Sequence, residues 1–380
     1  MRVFVTGIGA VSCVGMGVAS LETAMRTGIS GVAEAGDDYP DLSPQAVVGM
    51  VRTIKNDAVP RADTFLALAI EEAFSSAMLG AIPQLPVYLG SAHGHLDVWQ
   101  RKFRNGLPYS GSMWRLAQDF LEQRVGSVDV TVVSTACTAS SVAFGLALDA
   151  LRTGQCGMAL VCGVESVTGF LHAGFASLRS LAVGNCRPFD RDRTGLVLGE
   201  GAAAIVLETE AHAAQRGANL LAEAAGFGFC ADGVHLTAPD PTGGGASTAL
   251  RRAIDDAQLD EIPGFINTHG TGTLLNDRME CLALKRVFGQ TISTMPLTST
   301  KPITGHMCGA AGAIEIVNSI IGMQNGFVPQ ILGLRNQDKD FADFDFVRDE
   351  LRTGDFQSAI SMNSGFGGTN TAVILKRAYP

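Results

Sequence analysis

Residues 132–141 read Val-Val-Ser-Thr-Ala-Cys-Thr-Ala-Ser-Ser. A β-branched run stops just ahead of Cys137 and small residues then open a helix, so strand, tight turn and helix follow one another with the thiol at the bend. The surrounding chain reads accordingly as a strand over 128–134 and a helix over 138–152, which Gly154 can end. Free N–H groups at such a helix start would stabilise a thiolate at Cys137, the form that attacks a thioester. A buried structural thiol fits this segment equally well, because most free cysteines are buried.

Outward from the bend the same alternation repeats. Strands are expected over 2–6, 158–163 and 202–207, and a helix over 62–79 carries Leu66, Ala69, Ile70 and Ala73 on one face. The second half begins again with a strand over 220–229, a helix over 247–257 and a strand ending at Asn267. Helices over 279–288 and 310–323 and strands over 359–363 and 371–375 complete it. This is the pattern of an α/β protein whose sheets are covered on both faces. Both halves run strand, reactive loop, helix, and no Ser/Gly/Pro-rich linker separates them. The chain therefore divides into two fused halves, 1–219 and 220–380.

The 380 residues are long enough for two or three ordinary domains or one large duplicated unit. With 46% hydrophobic and 17% charged residues the chain is too apolar to be disordered and too lightly charged to be a coiled coil. A net charge of −9 excludes broad nucleic-acid binding and leaves room for a local basic patch. The 45 glycines cluster in short motifs, which places tight turns and close backbone approaches at a few loops. The eight cysteines form no CxxC pair, so reduced thiols are expected and neither a disulfide framework nor a metal site is. No signal-peptide pattern opens the sequence and no run reaches about 18 apolar residues. A soluble, cytoplasmic protein with no membrane contact is expected.

Three further motifs stand beside the Cys137 bend. Asn267-Thr268-His269-Gly270-Thr271-Gly272-Thr273 puts a histidine on a small-residue loop after a strand. Residues 297–306, Leu-Thr-Ser-Thr-Lys-Pro-Ile-Thr-Gly-His, place Lys301 five residues before His306. Residues 362–370, Met-Asn-Ser-Gly-Phe-Gly-Gly-Thr-Asn, form a glycine-rich loop able to offer backbone N–H groups. Read singly, each is also an ordinary surface loop. Gly7-Ile8-Gly9-Ala10-Val11-Ser12 has serine where a dinucleotide-binding motif needs its third glycine, and His93-Gly94-His95 lacks a third metal ligand.

Taken in order, the Cys bend, the two His loops, the Lys and the terminal glycine loop resemble the β-ketoacyl-acyl-carrier-protein synthases of the Cys-His-His class. The likeness spans nearly the whole chain, from VTGIGAVS at Val5 through CRPFDRDRTGLVLGEGAAAIVLE at Cys186 and HLTAPDPTGGG at His235 to NTHGTGTLLND, STKPITGHMCGAAGA and NSGFGGTN. It implies a thiolase-like α/β fold, two similar halves forming a five-layered αβαβα core, and a dimer, either of like subunits or with a related ketosynthase-like subunit. The implied reaction is decarboxylative Claisen condensation of an acyl-ACP with malonyl-ACP, where ACP is the acyl carrier protein, in fatty-acid or polyketide-type elongation.

The same likeness implies residue roles. Cys137 would take the acyl chain, and His269 and His306 would bind the malonyl thioester carbonyl as CO2 leaves. Lys301, near the second histidine, and Glu280 would support them. Backbone N–H groups of Cys137 and Phe366 would form the oxyanion hole. Thr237, Thr271, Thr273 and Ser364 would meet the substrate and its phosphopantetheine arm, which the carrier protein delivers, so no cofactor or metal of the chain's own is implied. Arg179 would meet the acidic carrier protein, although a solvated surface charge reads equally well there. Two departures stand out: Ser364 directly precedes Gly365 where many elongating synthases have a second Phe, as in the Ser-Gly-Phe-Gly-Gly form of type II polyketide ketosynthases, and His93-Gly94-His95 replaces a plainer glycine loop. The alternative is a non-catalytic, chain-length-factor-like partner of another ketosynthase, against which Cys137 stands. A degradative thiolase is disfavoured, because the terminal loop has no second cysteine.

Overall fold

A computed structural model describes residues 1–378 other than 38, 40, 55–59, 81–83, 110, 117, 127 and 128. Val128, the expected start of the strand before Cys137, lies outside the described residues. The main strands in chain order are β1 (Val3–Ser12), β2 (Val87–Gly90), β3 (Val130–Val133), β4 (Met158–Glu165) and β5 (Gly201–Thr209), then β6 (Ala222–Ala231), β7 (Phe265–Asn267), β8 (Leu297–Thr298), β9 (Ser358–Gly365) and β10 (Thr369–Lys376). They hydrogen-bond side by side as β8-β7-β9-β10-β6-β1-β5-β4-β2-β3, with the short strand Gly15–Met16 hanging on β1.

The order contains a repeat that the sequence does not display. The first half runs β3-β2-β4-β5-β1, and adding five to each label gives the second half, β8-β7-β9-β10-β6. Directions repeat too. β2 lies parallel to β3 and β4 as β7 does to β8 and β9, and the remaining pairs are antiparallel in both halves. The halves meet where β1 pairs with β6 at Phe4↔Glu223 and Val5↔Ala222.

Side chains along each strand alternate between two cores, as a period of two requires. On the inner faces Val161, Ile205, Val373 and Leu375 pack on Phe144 and Leu148 of α2 (Ala139–Arg152) and on Ile314 and Val317 of α5 (Ala311–Gln324). On one outer face Leu160, Ala204 and Val206 meet Leu66, Ala69 and Ile70 of α1 (Arg61–Ser76). On the other, Ile360 and Ile374 meet Leu250 of α3 (Gly244–Asp256) and Leu284 of α4 (Leu274–Phe288). The result is five layers: α1, one sheet half, the α2/α5 pair, the other sheet half, and α3 with α4. Each fully buried Leu, Ile or Phe contributes about 1.5–3 kcal/mol, so the two helices enclosed between sheets are a main anchor of the fold.

The glycine motif at Gly7-Ile8-Gly9, read from sequence as lying beyond a strand over 2–6, is inside β1. A Cβ on Gly7 or Gly9 would run into the backbone oxygens of Ala73 or Ala69 of α1. Gly226 and Gly228 of β6 make the same approach to Ala253 and Ala249 of α3. These glycines serve close helix-on-sheet packing, once in each half. Among the described residues no helix is long and apolar enough to cross a membrane.

Candidate active site

β3 ends at Val133, and a 3-10 turn, Ala136–Thr138, redirects the chain into α2. Ala136 holds φ at +52°, a left-handed value unusual for a residue with a side chain. The turn aims Cys137, only 7% exposed, at the end of the sheet. Its Sγ lies 3.0 Å from His306 Nε2. Burial pushes the thiol up to about 12; the Lys301 charge and the Phe366 N–H pull it back, while Glu165 pushes it further up. Burial therefore works against the thiolate that the sequence reading expects at the helix start.

His269 follows β7 on a loop held from behind. The Glu280 carboxylate accepts the N–H groups of His269 (2.5 Å) and Gly270 (2.9 Å), and Asp277 accepts that of Gly272 (3.1 Å). Burial raises Glu280 to about 7. His269 Nδ1 faces Lys301 Nζ at 3.2 Å and Asn363 Nδ2 at 3.5 Å. Both groups only donate, so Nδ1 accepts and the neutral ring carries its proton on Nε2. Asn363 is oriented by Ser141 Oγ, which donates to its Oδ1 (2.7 Å), and by its own Nδ2 donating to Glu315 Oε2 (2.7 Å). Lys301 Nζ donates to Glu315 Oε1 (2.5 Å), and both residues are buried.

Lys301 was expected beside the second histidine; it sits on the first. It opens a one-turn helix, Lys301–Thr304, from which its side chain reaches His269, and Gly305 (φ +75°) then swings His306 away onto Cys137. The two imidazole rings stand 5.2 Å apart and nearly perpendicular. Burial, and after it the Lys301 charge, hold both well below the ordinary imidazole value, so both are neutral at pH 7. His306 Nδ1 has no hydrogen-bond partner among the described residues, so the contact of Nε2 with Cys137 is the one that bears on its tautomer.

A cavity of about 280 Å³ opens onto these groups. Cys137, His269, His306, Thr237, Thr271, Thr273, Ser364, Phe366 and Arg179 all line it, so nine residues singled out from sequence converge on one space. Thr271 and Thr273 hydroxyls lie 3.0 Å apart, Ser364 donates to Asn370 (2.8 Å), and Phe366 stacks on Phe175 at 5.5 Å. Arg179 is exposed among the exposed Leu178, Leu274 and Leu275. Lys301 and Glu280 do not line the cavity and lie behind His269 and its loop. A Cβ on Gly365 would lie 3.1 Å from Cys137 N, so glycine there leaves that N–H uncovered. His93 and His95 turn elsewhere, to Glu165 (3.3 Å) and Asp63 (2.7 Å), and no metal-binding group of three His, Cys, Asp or Glu exists among the described residues.

Sequence reasoning missed Glu315 and gave Asn363 no role. Glu315 carried a signal: it is the one charged residue in the apolar run Ala-Gly-Ala-Ile-Glu-Ile-Val-Asn-Ser-Ile-Ile-Gly-Met, and a carboxylate buried there needs a cation.

Comparison with known proteins identifies the family. Residues 129–213 match the N-terminal domain of β-ketoacyl synthases and residues 221–335 the C-terminal domain. The chain is 32% identical to 3-oxoacyl-[acyl-carrier-protein] synthase 2 of Coxiella burnetii, covering 100% of this chain and 99% of the relative. It is 33% identical to nodulation protein E of Rhizobium leguminosarum bv. trifolii, covering 99% of both. The solved ishigamide ketosynthase/chain length factor superimposes with a TM-score of 0.89 at 29% identity, over 100% of this chain and 99% of that one. Fold, site and relatives converge on one conclusion: the chain belongs to the β-ketoacyl synthase family, with its thiolase-like architecture.

Proposed function

We propose that the chain condenses an acyl-ACP with malonyl-ACP, losing CO2, to give a β-ketoacyl-ACP. The observation that carries this reading is the thiol facing one neutral imidazole at 3.0 Å while a second, with its proton on the cavity side, stands beside it. Cys137 Sγ attacks the acyl thioester; its proton passes to His306 Nε2 and on to the departing phosphopantetheine sulfur. The oxyanion formed is held by the N–H groups of Cys137 and Phe366. Malonyl thioester then enters. Its carbon–carboxylate bond breaks, the electron pair becomes an enolate, and the Nε2–H of His269 holds the enolate oxygen, joined by His306 once that ring carries its proton on Nε2. The enolate carbon attacks the acyl carbonyl, the C–S bond breaks, and Cys137 leaves as thiolate and takes from solvent the one proton that the overall reaction consumes. Neutral donors suit this step, because the site must stabilise a charge that exists only while the enolate does.

In this reading Lys301 and Glu280 keep the His269 ring and loop in place, Thr237, Thr271, Thr273 and Ser364 guide the arm, and Arg179 meets the acidic carrier protein. The protein works in the cytoplasm as a dimer, of like subunits or with a ketosynthase-like partner, and its halves divide at 219/220. Cys137 stands against a purely non-catalytic subunit. The test is CO2 release from malonyl-ACP in the presence of acyl-ACP. Release that stops in Cys137→Ala supports the reading, and none from the purified protein, alone or with a co-purifying partner, sinks it.

A further inference from the structure

We propose that His93 tunes the Cys137 thiol by neutralising Glu165, a role that rests on Cys137 being the reactive group. Glu165 ends β4 and is fully buried. Its carboxylate accepts the N–H groups of Ala92 (2.9 Å), His93 (3.2 Å) and Gly309 (3.0 Å) and the Ser91 hydroxyl (3.5 Å). All four donors are neutral. Among the described residues the basic group in contact with it is the His93 imidazole, whose Nδ1 lies 3.3 Å from Oε1 without hydrogen-bond alignment and pairs with it as an ion only when protonated.

The bonds to Glu165 reach the reactive turn from two sides. Gly309 belongs to the 3-10 turn Cys308–Ala310, three residues after His306. Ala92 oxygen accepts from Ser134 Oγ (3.4 Å), three residues before Cys137. Through these bonds the Glu165 carboxylate is tied to the segments on both sides of the thiol, and its charge opposes thiolate formation at Cys137 as at Cys308. Lys301 and Glu315 act on Cys137 from the His269 side. Glu165 is the titratable group that faces His93, and it raises the imidazole against the lowering by burial; His95 faces Asp63 and Asp97. The His93 side chain is 27% exposed, so it exchanges protons with solvent. Protonated, it cancels the Glu165 charge and the thiolate forms more readily; as pH rises it deprotonates and that help is lost.

The experiment is iodoacetamide alkylation of Cys137 in the purified full chain, followed by peptide mass spectrometry between pH 5.5 and 9. His93→Leu should alkylate about threefold more slowly than wild type at pH 6, the effect of about half a pKa unit, and converge with it at pH 9. His93→Lys, a permanent cation, should match wild type at pH 6 and exceed it at pH 9. Should His93→Leu fail to fold, His93→Gln supplies the neutral arm. Variants that follow the wild-type profile at every pH overturn the proposal. The readout needs no carrier protein, so a failure of condensation would sink the proposed function without touching this result, and the converse holds.

Discussion

β4 and β9 occupy equivalent places in the two halves, yet one ends in Glu165 and the other in Gly365. Each strand end meets the strand-turn-helix bend of the opposite half. Glu165 covers the N–H of Gly309, whereas Gly365, having no side chain, leaves the N–H of Cys137 open. Both bends begin with a side-chain-bearing residue at positive φ, Ala136 at +52° and Cys308 at +41°. The same backbone device is thus used twice, plugged by a carboxylate in one half and left vacant for an oxyanion in the other. A second difference adds chemistry. β3 runs almost directly into its bend, while residues 299–307 intervene between β8 and its own, and they bring Lys301 and His306. The fold supplies two bends; a missing side chain and an intervening segment make one of them reactive.

The comparison breaks first at the intervening segment. Lys301→Met leaves Glu315 buried without its cation, and urea unfolding should show a loss of about 3–5 kcal/mol, much of it regained when Glu315→Leu is added. An unchanged midpoint would mean that the pair is not what holds the segment. Next is the vacant N–H. Gly365→Ala should slow acylation of Cys137 by roughly a hundredfold, read as the rate of mass gain with acyl-ACP. Acylation at the wild-type rate would show that the opening at Gly365 does not matter.

Matched glycine variants sharpen the claim of equivalence. Gly9→Ala and Gly228→Ala each force a Cβ into a helix backbone and should each cost about 1–3 kcal/mol, similar in the two halves. A marked imbalance would show that the halves pack differently. The smallest effect is in pH. His269 and His306 stay neutral when folded, whereas the unfolded chain takes up protons below about pH 6.5, so their contribution is lost as pH falls from there. The double variant His269→Asn, His306→Asn should lose stability less steeply on acidification. Glu280, raised to about 7, works in the opposite direction in both proteins and cancels in the difference.

Much of this was legible in the sequence where local pattern carries the information. The helix read over 138–152 is Ala139–Arg152, and the strand over 158–163 is the core of Met158–Glu165. What escaped depends on contacts between distant residues. β1 was cut short at Thr6 because Gly7 and Gly9 look like a turn until α1 is seen to need their bareness. The terminal motif read as a loop is a tight hairpin, with β9 reaching Gly365 and β10 starting at Thr369. Lys301 and His306 stand five residues apart in sequence, but a single helical turn and Gly305 send them to different partners. Glu315 belongs to the site only because α5 crosses behind His269, which no local pattern states.

The central claim is a division of labour between Cys137 and the two imidazoles, and His269→Asn tests it most directly. Incubated with acyl-ACP and then malonyl-ACP, this variant should show the full acyl mass on Cys137 and release no CO2 above background. CO2 release at the wild-type rate would contradict the assignment of the enolate to His269, and loss of acylation would contradict the separation of the two steps.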